Sequence, residues 1–282
     1  MDIVWLTEVA AEFGGSGELR TAASPSGAEI ACAGAVVVKV HHPRTDPTVL
    51  KARLRAAADR RLADVLVVPL STTVYPTPDG RSATIWPCLE VLRPTAHQPP
   101  WAAAGRLLAM LHRVDPEPIV TLPAVHPVAR LERALRRVPS SAHAAPLLLR
   151  VGSCVMTEAT TAHADRRLVH GDWHLGQLGR RTGRAWRLLD VDDLGMGDPA
   201  WDLARPAGFW AAGLLSDSEW HGFLTAYRGS GGPAVPPDGD PWAWLDLPAR
   251  AAVVAAACRA ATRPETDEQD IAEALFEACR QM

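Results

Sequence analysis

Leu168-Val169-His170-Gly171-Asp172-Trp173-His174 and, further along, Leu189-Asp190-Val191-Asp192-Asp193-Leu194-Gly195-Met196-Gly197-Asp198-Pro199 are the segments that decide how this chain is read. Each begins as a short apolar strand and runs into a polar turn that carries a carboxylate. Either segment alone is compatible with an ordinary loop rich in Asp and Gly. Together, two carboxylates at strand ends can divide a phosphoryl transfer: one orients the attacking hydroxyl, the other holds Mg²⁺ on the phosphates.

Other chemistries fit these residues poorly. A zinc site from His170, Asp172 and His174 lacks the helical spacing of a zincin, because Gly171 and the turn break it. A calcium loop over Asp190–Gly195 would need an oxygen ligand where Leu194 stands and a closing glutamate that is absent. Asp198 before Pro199 reads as a helix N-cap, and Asp202 as a buried carboxylate accepting hydrogen bonds from the Asp172 loop. His170 reads as a residue that orients that loop, and His174 can do the same.

The remaining chain supplies a setting. Leu19–Ala23, Ala28–Cys32 and Ala35–Val40 read as strands, the last a β-branched run around Lys39. Asp46-Pro47 opens a helix expected to run to Leu62, and Val65–Leu70 and Ala83–Leu92 are further strand candidates. After Pro94 the spacing of Trp101, Ala104, Leu107, Leu108 and Leu111 is helical, with more helix at Leu131–Val138. Helices are also expected over Pro199–Ala212, Glu219–Tyr227, Pro248–Ala261 and Glu268–Arg280, with a Gly- and Pro-rich loop between Arg228 and Pro241. The expected architecture is α+β: a small β-rich lobe over residues 1–92 and a larger, mainly helical lobe over 93–282.

Composition narrows the class. The 282 residues are 48% hydrophobic and 22% charged with a net charge of −3, which suits a globular enzyme and gives no basic block for nucleic acid. No apolar run reaches the roughly 20 residues that span a bilayer, and no basic segment precedes the apolar residues after Met1. The 5 cysteines never form a C-x-x-C pair, which points to reduced thiols and a cytoplasmic location. Among the 29 basic residues only Lys39 and Lys51 are lysine, so a lysine kept in an arginine-rich chain invites a specific role.

The pattern resembles the aminoglycoside phosphotransferase-like kinases, relatives of protein kinases that phosphorylate small-molecule hydroxyls. The resemblance is carried by His170-Gly171-Asp172, by Gln177, by Asp190 and by Gly197-Asp198-Pro199-Ala200-Trp201-Asp202-Leu203-Ala204. It implies a bilobal protein-kinase-like fold with ATP and Mg²⁺ as cofactors. Asp172 would be the catalytic residue, Gln177 and Asp190 the metal ligands, and Lys39 the contact to the nucleotide phosphates. Gln177 stands where Asn is commoner, and the run His174-Leu175-Gly176-Gln177 is similar to that of maltokinases.

Lys39 usually has a helix glutamate as partner; the only acidic residue over Pro47–Leu62 is Asp59, a shorter substitute. Of two glycine-rich loops, Gly14–Gly17 and Ser24–Ala28, the second leads directly to Lys39, so Ser26 and Gly27 are expected at the phosphates. Neither is a Walker motif. Leu89, Glu90 and Val91, in the connection between lobes, are expected beside the adenine.

The resemblance implies a small-molecule acceptor with a hydroxyl, an aminoglycoside or another cationic antibiotic, which phosphorylation would inactivate. Residues 263–282, with 6 acidic residues against 2 arginines, could meet a polycation, or could be the solvated face of a helix whose apolar side is Ile271, Leu275, Phe276 and Cys279. A sugar or amino-sugar acceptor is the alternative suggested by Gln177. A nucleotide-binding pseudokinase is a third class, opposed by the intact Asp172, Asp190 and Lys39.

Overall fold

The computed structural model describes residues 2–23, 27–93, 98–115, 122–159, 166–262 and 269–282. Contacts gather the chain into two compact units, each drawn from several stretches. The first takes its residues from Met1–His97, Pro116–Pro123 and Leu175–Asp192, the second from Gln98–Asp115, Ala124–His174 and Asp193–Met282.

The first unit is built on an antiparallel sheet. Its strands are β1 (Arg20–Ala23), β2 (Glu29–Ala33), β3 (Val36–Val40), β4 (Tyr75–Pro76) and β5 (Ser82–Pro87), in the order β1-β2-β3-β5-β4. The β-branched run places β3 in the middle, where Val36, Val38 and Val40 are buried. Its register sets Lys39 opposite Ile30 of β2 and Thr84 of β5. Helix α1 (Ile3–Glu12) covers the sheet with Leu6, Val9 and Ala10, and their spacing of three and four residues puts them on one face. The sequence reading, which assigned its first element at Leu19, misses this helix; Asp2 starts it by accepting a hydrogen bond from the Trp5 backbone N–H at 3.1 Å.

Helix α2 spans Pro47–Ala57, shorter than expected. Asp59 already lies outside it and caps a separate 3-10 turn, Arg60–Leu62. Val65–Leu70 forms no strand but a single bridge at Leu66 to Leu188. Residues 175–192 join this unit because β8 (Leu178–Arg180) pairs with β6 (Glu90–Val91) on one side and β9 (Arg187–Leu188) on the other.

The second unit is mainly helical: α3 (Trp101–Arg113), α4 (Pro127–Arg137), α5 (Ala145–Ala159), α6 (Ala204–Ala211), α7 (Asp217–Gly229), α8 (Trp242–Ala261) and α9 (Gln269–Arg280). Its strands β7 (Arg167–Val169) and β10 (Gly195–Gly197) pair antiparallel, bringing the two motif segments side by side. Leu131, Leu135, Leu148, Val155, Val253 and Leu275 share one core there. Helix α8 starts before Pro248, where the sequence reading begins it. The proline removes one N–H donor, and the carbonyl left over is that of Trp244, at an exposed position where water can serve it.

Helices α3 and α7 approach so closely at Gly105 that a Cβ there would lie 2.3 Å from the backbone oxygen of Phe223. Backbone cannot yield as a side-chain tip can. Gly105→Ala is therefore expected to destabilise the protein by about 1–3 kcal/mol despite alanine's better helix propensity. Urea unfolding of parent and variant measures this, and a gain in stability would mean the helices part freely.

Candidate active site

In the first unit, β3 delivers Lys39, which is 9% exposed, to a pair of carboxylates. Its Nζ donates to Asp190 Oδ1 at 2.7 Å and lies 2.9 Å from Asp192 Oδ2. Burial works against the ammonium, but Asp190 and Asp192 outweigh it and raise the pKa above the ordinary lysine value. Burial likewise opposes charge on Asp192, yet hydrogen bonding to His41 and the charge of Lys39 hold its pKa below the usual carboxylate range. His41 itself lies 3.3 Å from Asp192 through Nδ1 and 2.8 Å from Thr84 Oγ1 through Nε2.

Asp59 does not take the place of a glutamate beside Lys39. It binds the Arg61 side chain at 3.1 Å and caps its own turn with the Arg61 backbone N–H at 2.9 Å, because α2 ends before reaching it. The partner role falls to Asp192, which spacing in the sequence shows only as one more acid in a short acidic run.

Asp190 has φ +57°, the left-handed region, which is uncommon for a residue with a side chain. The backbone N–H of Leu189 donates to the Gln177 carbonyl at 2.8 Å, so the segments carrying the two expected metal ligands are neighbours. An amide carbonyl and a carboxylate are hard oxygen donors suited to Mg²⁺. No group of three His, Cys, Asp or Glu side chains able to hold a metal occurs among the described residues.

Gly27, two residues before β2, is exposed; Ser26 lies outside the described residues. Leu89 immediately precedes β6, and Val91 within it is 48% exposed.

In the second unit, the turn after β7 holds Asp172 against two guanidiniums. Arg130 Nη1 is in direct contact with its carboxylate and Arg205 Nη2 lies 3.6 Å away. The other arm of Arg130 reaches Asp193 at 2.8 Å. Gly171, at φ +83°, is required: a Cβ would sit 2.4 Å from the backbone oxygen of Asp193.

Beneath the turn lies Asp202, which is 3% exposed. It accepts from the backbone N–H groups of His170 at 2.6 Å and Gly171 at 2.9 Å, and pairs with His112 Nε2 at 3.0 Å. His112 Nδ1 is in turn 2.8 Å from the Tyr227 hydroxyl, which accepts from the Ala234 N–H at 3.1 Å. Burial raises the Tyr227 pKa, so the phenol keeps its proton and can donate it to His112 Nδ1. That leaves Nε2–H to donate to Asp202. Asp198 caps the 3-10 turn Pro199–Asp202 through the Ala200 N–H at 2.9 Å.

A cavity of about 90 Å³ opens on Asp172 within this unit. Its polar rim includes Arg130, Arg205 and Arg259, and its wall is apolar, with Trp173, Trp201 and Leu131 among the lining. Burial, followed by the charges of Arg205, His170, Arg259 and Arg130, lowers the pKa of His174 to about 3. Burial and the Arg259 charge lower that of Arg205 to about 10. None of these arginines has a local pattern that announces it. They come from α4, α6 and α8, and only the fold brings them to one cavity.

The profile of the phosphotransferase enzyme family, APH, matches residues 30–245. No curated protein sequence matches. Solved structures do. The amicoumacin kinase hAmiN, captured with AMP-PNP, Ca²⁺ and Ami, aligns at 14% identity over 100% of this chain and 94% of its own, with a TM-score of 0.69. The choline kinase LicA from Streptococcus pneumoniae aligns at 11% identity over 99% of each chain, TM-score 0.68. The macrolide 2'-phosphotransferase MphH from Brachybacterium faecium aligns at 20% identity over 100% of this chain and 98% of its own, TM-score 0.55. At these identities the likeness is one of fold.

Asp202 gives a pH prediction with a definite sign. Burial pushes its pKa up, but the hydrogen bond and charge of His112 and the backbone donors push it further down, so the folded value lies below the unfolded one. Its stabilisation is therefore fully present above about pH 4, the unfolded carboxylate range, and is lost as pH falls through the depressed folded value. Asp202→Ala should remove this acid dependence. At neutral pH it should cost about 1–3 kcal/mol for each loop N–H left unpaired. Denaturant unfolding as a function of pH tests both; parallel curves for parent and variant below pH 4 would refute the assignment.

Proposed function

Because the chain belongs to the phosphotransferase enzyme family, and is with it a small-molecule phosphotransferase, we propose that it transfers the γ-phosphoryl group of ATP to a hydroxyl of a small molecule. The observation that carries this reading is Asp172, set on a turn fixed from below by Asp202 and open to a cavity of about 90 Å³. The hydroxyl oxygen would bond to the γ-phosphorus as the bond to the β–γ bridging oxygen breaks, ADP leaves, and the hydroxyl proton passes to Asp172. Contacts with Arg130 and Arg205 hold the Asp172 carboxylate in place.

Lys39 would contact the nucleotide phosphates. Its present partners Asp190 and Asp192 hold the ammonium charged and fix where it sits on β3. Gln177 and Asp190 would hold Mg²⁺, which when bound neutralises phosphate charge. Gly27 and Ser26 would lie at the phosphates, and Leu89 and Val91 beside the adenine. In support, structures sharing this fold were solved with AMP-PNP and with ADP.

Of the acidic residues in 263–282, Glu265, Asp267 and Glu268 lie outside the described residues. Glu219 belongs to the cap that starts α7, Asp217 binds the Trp210 indole at 2.7 Å, and Asp270 and Glu273 are exposed on α9, outside the cavity lining. The proposed acceptor is a hydroxyl of an aminoglycoside or other cationic antibiotic, with a sugar or amino sugar as the alternative; in support, solved structures of this fold include an aminoglycoside phosphotransferase and a macrolide 2'-phosphotransferase.

Two substitutions test the reading. Asp172→Asn should keep nucleotide binding and lower kcat by about 10²–10⁴; an unchanged kcat would remove Asp172 from catalysis. Lys39→Met keeps the apolar stem and deletes the ammonium, so KM for ATP should rise. A variant with normal ATP kinetics but a much lower melting temperature would mark Lys39 as a structural residue instead.

A further inference from the structure

We infer that His41 is a positioning residue for nucleotide binding: with Thr84 and Trp86 it holds Asp192 in place, and through Asp192 the ammonium of Lys39. The inference rests on the kinase reading above and adds three residues that the sequence reading passes over.

Alternation along β3 and β5 puts Lys39, Thr84 and Trp86 on one face of the sheet, while Val38, Val40, Ala83 and Ile85 pack on the other face with α1. His41 carries the ladder one residue beyond β3, since its backbone N–H donates to the Ser82 carbonyl at 2.8 Å. Its side chain joins Thr84 on the face of Lys39. His41 is 1% exposed and Thr84 fully buried. Polar groups buried this far need partners, and here they supply one another.

The chemistry of the partners places the hydrogens. Trp86 Nε1–H can only donate, and it donates to Thr84 Oγ1 at 2.8 Å. Thr84 Oγ1 lies 2.8 Å from His41 Nε2. The other ring nitrogen, Nδ1, faces Asp192 Oδ2 at 3.3 Å, and a carboxylate only accepts. A bare lone pair would oppose it, so Nδ1 carries a hydrogen. Thr84 can then give its hydroxyl hydrogen to Nε2 while accepting from Trp86. The donors run in one direction, from Trp86 through Thr84 and His41 to Asp192. The last contact is long and off the line of a good hydrogen bond, and the same Oδ2 still meets Lys39 Nζ at 2.9 Å.

Asp192 thus has an ammonium on one side and a fixed imidazole on the other. Lys39 is shared between it and Asp190, at 2.7 Å. On the kinase reading Asp190 is a metal ligand, and an oxygen given to Mg²⁺ is withdrawn from the lysine. Asp192 would then be the carboxylate that holds Lys39 at the phosphates, with its direction set by His41. Asp59 offers no substitute, because it is engaged by Arg61 on its own turn. Partners one step removed from a ligand govern affinity in this way by orienting the group that makes the contact.

The test is a double-substitution cycle in the whole protein, read as the Kd for AMP-PNP with Mg²⁺ by calorimetry. His41→Leu is close in volume and deletes both ring nitrogens. It should raise Kd about 3- to 30-fold, the size of couplings within one hydrogen-bonded network. His41→Asn, whose amide can present an N–H near the place of Nδ1, should recover part of the loss. In a Lys39→Met background His41→Leu should have no further effect, because its influence passes through the ammonium. Should His41→Leu fold poorly, Thr84→Val carries the same cycle, with Thr84→Ser as the variant that recovers affinity.

Two-bond ¹H–¹⁵N correlation spectra of histidine-labelled protein give a readout independent of the nucleotide. The signals lost in His41→Asn should be those of a ring protonated at Nδ1, and a bare Nδ1 overturns the inference. So does a parental Kd in His41→Leu, or a His41→Asn variant no better than His41→Leu. A loss of equal size in the parental and Lys39→Met backgrounds also overturns it, since His41 would then support only the sheet. Failure of the kinase reading looks different: AMP-PNP would not bind the parent at all, and the inference would fall with that reading.

Discussion

A carboxylate almost wholly removed from water persists as an anion only if donors surround it, and Asp202 meets that demand by drawing on distant parts of the chain. It takes the N–H groups of His170 and Gly171 from the turn after β7 and the imidazole of His112 from α3, which in turn leans on Tyr227 of α7. One buried charge thereby fixes the turn that carries Asp172 against the helical body. The close approach of α3 and α7 at Gly105 serves the same end, since it brings the elements carrying His112 and Tyr227 together. Asp172 sits at the free end of this support and is not itself needed to hold it.

The two functional clusters treat charge differently. Around Lys39, one buried cation faces two carboxylates that stabilise its charged form, and Lys39 in turn stabilises that of Asp192. Around Asp172 the balance is reversed, with guanidiniums gathering on a carboxylate. A nucleotide's phosphates are anionic, so a lysine held charged suits them.

Part of the candidate site's geometry was legible in the chain because it is local. His170-Gly171-Asp172, Asp190 and the Gly197–Ala204 segment lie within single turns, where the spacing of residues dictates which groups can meet. The β-branched run around Lys39 likewise sufficed to set a central strand. Periodicity placed α3, α4 and α7, but the first helix was hidden among residues read as strands and turns, and Pro248 gave a false start to α8.

Three things were decided only by the tertiary structure, each because it depends on residues far apart in the chain. The partners of Lys39 are Asp190 and Asp192, about 150 positions away, whereas the nearest acid in the following helical segment, Asp59, is kept by the early end of α2 on its own turn. The division into compact units assigns residues 175–192 to the N-terminal sheet through strand pairing that no composition change marks. The charge of the acceptor cavity is set by Arg130, Arg205 and Arg259, which are ordinary surface-type residues when read along the sequence. Electrostatic potential depends on distance in space, and the three arginines meet only where α4, α6 and α8 come together.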